Sequence, residues 1–568
     1  GATAVGTPHF QFSIDAGVGY NTPLQFDLML TANDAAYTVT IPFTISTRTA
    51  EESVGGTIMV NTVWTNDKTY VVNNNVGVAP GVTLTIQAGT VVKFNGSYSL
   101  NVRGSLIAVG SEVQPIQFLS YDGTAWDQIF FDDSSADATA DASGVYQAGS
   151  VLKWVQIDNT STGIRCQNAT PFLAHVTLNN GNINCTTGGT PLWLQDSYSL
   201  GNVFITGEAQ VWRNTVKNGG VTVSGEAIVR DNYVIGTIST GAASQVIGNT
   251  LWWSSVNAPG ASTVNNNEIF GGTVFIGNNA VAHDNQIRGG SIAAGDFASV
   301  FTNTVHDGDI VVGNGSTVSG NNIEAAPGWG ITTSGAVTVT HNRVIGGANG
   351  IKMSAGLLQN NLVANNVGVG VEVGSASVLN NSIINNHGSA LVIASGTPTI
   401  QDNNLDGNTG SYDIVNTTAN PIDVAQNWWG TTVEAAIPAR IYDIFDDYNL
   451  GQLTFTPVLA NPIQAAPAYV RAITLTPQSP IGIESVVAEV LFSRPMDVSV
   501  IPDIVYHNAR KGTWENVTTA NSDIGSDDLC GDSLLDSRGA LWLGSARTWN
   551  SGTPNSFCSG PMSILHLD

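Results

Sequence analysis

Between residues 211 and 305 one six-residue unit returns six times: Val211-x-x-Asn214-x-Val216, Val229-x-x-Asn232-x-Val234, Val246-x-x-Asn249-x-Leu251, Val264-x-x-Asn267-x-Ile269, Ala282-x-x-Asn285-x-Ile287 and Val300-x-x-Asn303-x-Val305. Six further copies, read on Asn321, Asn342, Asn360, Asn381, Asn403 and Asn427, carry the pattern to residue 429. The Asn-to-Asn steps are 18, 17, 18, 18, 18, 18, 21, 18, 21, 22 and 24 residues. Weaker copies precede them at Leu152-x-x-Val155-x-Ile157, Leu173-x-x-Val176-x-Leu178 and, in polar form, near Ser197.

The residue after each Asn varies freely among Thr, Tyr, Glu, Gln, Arg and Ser, which marks a solvent-facing position. The apolar residues on either side of it face inward. A second apolar group follows about seven residues on, as in Val221-Thr222-Val223, Val274-Phe275-Ile276 and Ile310-Val311-Val312. Short alternating segments separated by Gly and Asn read as strands and turns. One period therefore reads as one coil of a parallel β-helix, with two or three short strands stacked on the next coil. Asn suits the bend because it tolerates left-handed backbone angles. Stacked coil on coil, its amide can bond the amide above, which satisfies a buried polar group. The competing reading makes each Asn a surface turn former. Both readings are structural and neither requires a ligand.

At this point the chain resembles right-handed parallel β-helix repeat proteins of bacterial cell surfaces. The resemblance includes the entry segment from Tyr70 to Phe94, Gly104–Gly110 with Pro115–Phe118, and Asn427-Trp428-Trp429-Gly430 as an exit motif. It implies an all-β fold over about residues 60–460. It implies no particular activity, because the scaffold hosts unrelated functions.

The flanks, residues 1–52 and 466–568, read as Ig-like β-segments. Phe10–Ile14, Leu24–Leu30 and Tyr37–Ile41 resemble the closing hairpins of a sandwich whose opening strands are missing. Val490–Asp497 resembles the opening half of another. Incomplete sandwiches leave unpaired edges. Either the chain is an excised piece, or one subunit's first strands complete the next subunit's last domain. The second case is head-to-tail and non-closing, which makes a filament.

Composition narrows the function. The 568 residues hold 19 Lys and Arg against 44 Asp and Glu, a formal charge of −25. Such an acidic chain with no basic tract is a poor nucleic-acid binder. No apolar run is long enough for a membrane-spanning helix. Cys530 and Cys558 are favoured as a disulfide across the C-terminal segment. Cys166 and Cys185, about one coil apart, stand open between disulfide and free thiols. An even cysteine count without a CxxC motif fits an oxidising, extracellular or cell-surface setting. Asp132, Asp133 and Asp137 crowd one loop as a candidate calcium site, with a solvated acidic loop as the competing reading. Asp443, Asp446 and Asp447, and Asp523, Asp527 and Asp528, form similar clusters. No other cofactor is implied. Eight Asn-x-Ser/Thr sequons, at Asn95, Asn159, Asn168, Asn184, Asn314, Asn380, Asn416 and Asn516, matter only in a glycosylating host.

The search for catalytic groups gives one acid/base trio, His306, Asp307 and Asp309, and isolated His283 and His341. Asp231 and Asp284 fall three coils apart, about 14 Å, too far to act as a pair. Trp212, Tyr233, Trp252, Trp253, Trp329 and Trp428 are candidates for stacking on sugar rings, and Trp429 for a core plug. The reading favoured by the sequence is a non-catalytic structural subunit of a surface layer or filament whose partner is a second copy of itself. A carbohydrate-binding adhesin with a glycan partner is the alternative, and a polysaccharide lyase or glycoside hydrolase the second alternative.

Overall fold

The computed structural model describes residues 50–476 without a break, together with 13–14, 18, 22–32, 37–46, 487–496, 514–517, 534–535, 541–543 and 562–565. The chain divides into two units, residues 1–495 and 496–568. The first contains a parallel β-solenoid of about 18 turns. In the second, the described strands form one antiparallel sheet in the order Trp514–Val517, Met562–Leu565, Leu541–Leu543 and Leu534–Leu535. No helix among the described residues is long and apolar enough to cross a membrane.

Each middle rung contributes three short strands, one to each of three parallel sheets. In one rung these are Ala227–Arg230, Tyr233–Val234 and Ile238–Ser239. Register is strict: Val211 stacks on Val229, Val229 on Val246, Val246 on Val264 and Val264 on Ala282. Val229, Val234 and Ile238 point inward and are buried. Each such side chain contributes roughly 1.5–3 kcal/mol. Because a rung touches only its neighbours, stability accumulates rung by rung.

The bend between the first and second sheets holds an amide ladder. Asn214, Asn232, Asn249, Asn267, Asn285, Asn303, Asn321, Asn342, Asn361, Asn381, Asn403 and Asn427 are all buried. Asn267 is representative. Its Nδ2 donates to the Val246 carbonyl one rung back at 2.8 Å and to Asn285 Oδ1 one rung on at 2.9 Å. Its Oδ1 accepts the backbone N–H of Asn249 at 2.9 Å. The ladder starts at Ser197, whose N–H donates to Asn214 Oδ1.

Two corrections follow. The ladder passes through Asn361, not Asn360. Asn361 Nδ2 donates to Val339 O and Asn381 Oδ1, whereas Asn360 points outward toward His341. Nor does the buried Asn itself adopt the left-handed conformation. The residue before it does, with φ between 52° and 58° at Arg213, Asp231, Asn266, Asp284, Thr302, His341, Asn360, Asn380, Asp402 and Gln426. The bend thus takes two residues: one turns the chain outward at positive φ, and the next swings its amide in. A second, shorter ladder escaped the sequence reading. Asn366, Asn386 and Asn408 repeat the arrangement at the next bend, each five residues after a ladder Asn.

One boundary also moves. Ala50–Ile58 already stacks on Lys68–Val78, so the solenoid starts about ten residues before the expected 60. Among the described residues neither flank shows a complete Ig-like sandwich. The described residues on either side of the solenoid form one hairpin each, Pro23–Ala32 with Tyr37–Ser46 and Val470–Thr476 with Val487–Phe492.

Replacing Asn361 by Ala orphans a backbone N–H and a carbonyl inside the stack, at about 1–3 kcal/mol for each group. Asn361→Ala should therefore lower unfolding free energy by about 3 kcal/mol, and Asn360→Ala by less than about 1 kcal/mol. Urea titration of both variants checks this, and equal losses would refute the assignment.

Candidate functional site

The column of left-handed residues runs along the outer edge of the ladder, where side chains change from rung to rung. Reading down it gives Arg213, Asp231, Gly248, Asn266, Asp284 and Thr302. At Gly248 the side chain is missing, and a notch of about 290 Å³ opens. Thr250, Asn266, Glu268, Asp284 and Gln286 line it, backed by ladder amides. Thr250, Glu268 and Gln286 are in register on three successive rungs of the second sheet, at the outward position next to the bend. Asp231 closes the near end: a Cβ on Gly248 would stand 2.7 Å from its Oδ1.

The notch is polar and negative. His283 Nδ1 lies 2.7 Å from Asp284 Oδ2, and the His283 ring stacks on Phe301 at 4.9 Å. The bonds from His283 and Thr302 hold the Asp284 carboxyl below the usual carboxylate range. At neutral pH Asp284 is an acceptor, not a proton donor. In the sequence Asp284 stands against Asp231 alone, three coils away. Glu268 and Gln286 carry one signal in the sequence, their place directly after a ladder Asn.

The acid/base trio does not converge on a cleft. His306 and Asp307 form a solvent-open pair at 2.9 Å, with side chains 50% and 61% exposed. Asp309 receives no bond from them; its backbone N–H donates to Ser291 Oγ. His341 faces solvent beside Asn360. The acidic clusters serve turns. Asp132 Oδ1 accepts from Ser134, and Asp137 Oδ1 from the backbone of Thr170, while Asp133 is exposed. Asp443 is buried and accepts from the backbone of Phe445 and Leu453. Among the described residues no three His, Cys, Asp or Glu side chains gather in a metal-binding group. Asp523, Asp527, Asp528, Cys530 and Cys558 lie outside the described residues. Cys166 and Cys185, on adjacent rungs, are joined as a disulfide.

The aromatic candidates separate by burial. Trp212 is buried, with Arg230 stacked on its face at 3.7 Å and an arm carrying Gly144 laid across it. That arm packs a small core of its own from Ala138, Val151, Phe172 and Ala174. Trp428 is buried beneath Arg471, and Trp429 is fully buried at the exit. Trp252 stacks on Phe270 of the next rung at 4.2 Å. Trp253 stands 72% exposed.

One buried titratable group lies at the exit. Asp413, its side chain 4% exposed, pairs with Arg440, which also donates to the Trp429 carbonyl. Burial pushes its carboxyl up to about 6, against the opposing pull of Arg440.

No family model matches the chain, and no curated protein matches it. Among solved structures the chain is similar to the PL6 family alginate lyase AlyGC, at 8% identity and a TM-score of 0.18. The match covers 72% of this chain and 97% of that one. At that score it carries no argument about activity.

A carboxyl whose folded pKa lies above its unfolded 3.8 binds its proton more tightly when folded, so it stabilises below about pH 4 and that stability is lost as pH rises through about 6. Relative to Asp413→Asn, the wild type should lose up to about 3 kcal/mol between pH 4 and pH 7. Parallel stability curves for the two proteins would show that Asp413 does not titrate in this range.

Proposed function

We propose that the chain is a non-catalytic, extracellular structural subunit that joins head to tail, the hairpin before the first rung of one copy covering the hairpin after the last rung of the next. The observation that carries this reading is the exposed apolar face of each hairpin. In the first, Leu24, Phe26, Leu28 and Leu30 pair with Ile45, Phe43, Ile41 and Val39, so one face is apolar throughout. Leu30, Val39, Ile41 and Phe43 are 43–51% exposed. The other face carries Gln25, Asp27, Thr40 and Thr44. In the second hairpin Ile473 pairs with Val490 and Leu475 with Ala488 on one face, where Ile473 is 62% exposed, and Val487 and Leu491 on the other face are 65% and 55% exposed.

A two-stranded hairpin is marginal alone in water. Two sheets with exposed apolar sides make a sandwich when such sides meet. The hairpins lie before and after the stack of rungs in the chain, so a second copy is the natural source of the missing layer. The Cys166–Cys185 disulfide agrees with an oxidising compartment, and the formal charge of −25 keeps the long β surface soluble. An adhesin or a lyase would act instead on the outer faces of the rungs. The notch at Gly248 favours the first of these. For the second, Asp284 is held ionised and His306 and Asp307 stand open to water.

Negative-stain electron microscopy of the purified chain at neutral pH should show filaments. They should vanish on deletion of residues 1–48 and in the double variant Ile41→Asp, Phe43→Asp. Single particles from the intact chain at every concentration would sink the head-to-tail assignment.

A further inference from the structure

The bend between the second and third sheets also turns at positive φ, and small or polar residues hold it on the neighbouring rungs: Asn218, Gly236, Gly271, Gly289, Asp307 and Ala325. On the rung between Gly236 and Gly271 the same position is Trp253, at φ 56°. A tryptophan there carries backbone strain on the order of 1 kcal/mol and leaves 72% of its surface in water. Neither the core nor the ladder uses it. A Cβ on Gly271 would meet the indole at 2.7 Å, so the ring lies against the bare backbone of the next rung with its other side open.

Five residues back along the same rung is the notch at Gly248. The second sheet spans the interval, about 15 Å of extended chain. Its outward side carries Thr250, Glu268 and Gln286 next to the notch, then the stacked pair Trp252 and Phe270, then Trp253 at the far corner. The side chains of Thr250, Asn266, Glu268 and Gln286 make no hydrogen bond to other described residues, so their donors and acceptors face the notch uncommitted.

We propose that this strip, from the notch at Gly248 across Trp252 and Phe270 to Trp253, binds a neutral oligosaccharide. Sugar rings present apolar C–H faces that pack on flat aromatic surface, and hydroxyls that pair with amides and carboxylates. The strip offers both, in separate zones. Its charge selects among sugars. Glu268 and Asp284 line the notch itself with no Lys or Arg, and Asp284 is held ionised, so a uronate is repelled there; the exposed Arg288 stands beyond it, beside Phe270. The rest of the surface supplies a contrast. Phe297 is likewise 59% exposed at positive φ, but Oδ1 of Asp296 and Oδ1 of Asn314 beside it each accept a backbone N–H. The site does not depend on head-to-tail assembly.

Isothermal titration of the full chain with cellohexaose, mannohexaose and maltohexaose, and with an alginate hexasaccharide for comparison, tests the proposal. At least one neutral sugar should bind and the alginate fragment should not. Trp253→Ala should weaken binding about tenfold. Glu268→Gln should weaken it without admitting alginate, and Phe297→Ala should leave it unchanged, with circular dichroism confirming the rungs in each variant. Failure of all three neutral sugars to bind would overturn the proposal. So would alginate binding as tightly as the best of them, or equal losses in Trp253→Ala and Phe297→Ala.

Discussion

An amide sealed inside a β-stack must find partners for both its hydrogens and its oxygen, or the bend that holds it is destabilised by several kilocalories per mole. In this chain those partners are the amide on the next rung, the carbonyl on the last one, and the backbone N–H beside it. The requirement fixes register more tightly than hydrophobic burial could. A slip of one residue would turn Val and Ile outward, and a slip of two would bury them again, but either would break every link of the ladder at once. The three sheets, the outward columns and the corner positions all inherit their alignment from this condition.

That inheritance explains what could be read in advance. Positions such as Val229, Asn232 and Val234 are set by burial, which acts on residue type, so the period is plain in the letters. The choice between Asn360 and Asn361 is different. Both are amides, both neighbour a strand end, and loop length varies from rung to rung, so composition cannot decide which one turns inward. The backbone decides, because the outer position must sit at positive φ. The second ladder at Asn366, Asn386 and Asn408 was legible in principle from its constant five-residue offset.

The outer surface was harder to read for physical reasons. A notch is the absence of a side chain at Gly248, and its walls come from three rungs. Trp212 looked like a surface aromatic because nothing near it in the chain announces its cover. The cover comes from the arm 138–150, whose Gly144 carbonyl accepts a bond from Gln195, 51 residues later. The flanking hairpins show their apolar alternation clearly in the letters.

The left-handed corner column is occupied in turn by Arg, Asp, Gly, Asn, Asp and Thr, with no disturbance to the ladder beneath. It is a keyboard with fixed key spacing. Any two groups on it are separated by a whole number of rung heights, about 4.8 Å each. New chemistry can therefore be placed by single substitutions at quantised distances, and duplicating one coil would shift a whole set of groups by one step. Such a surface is suited to matching ligands that repeat, because its own ruler does not change when its markings do.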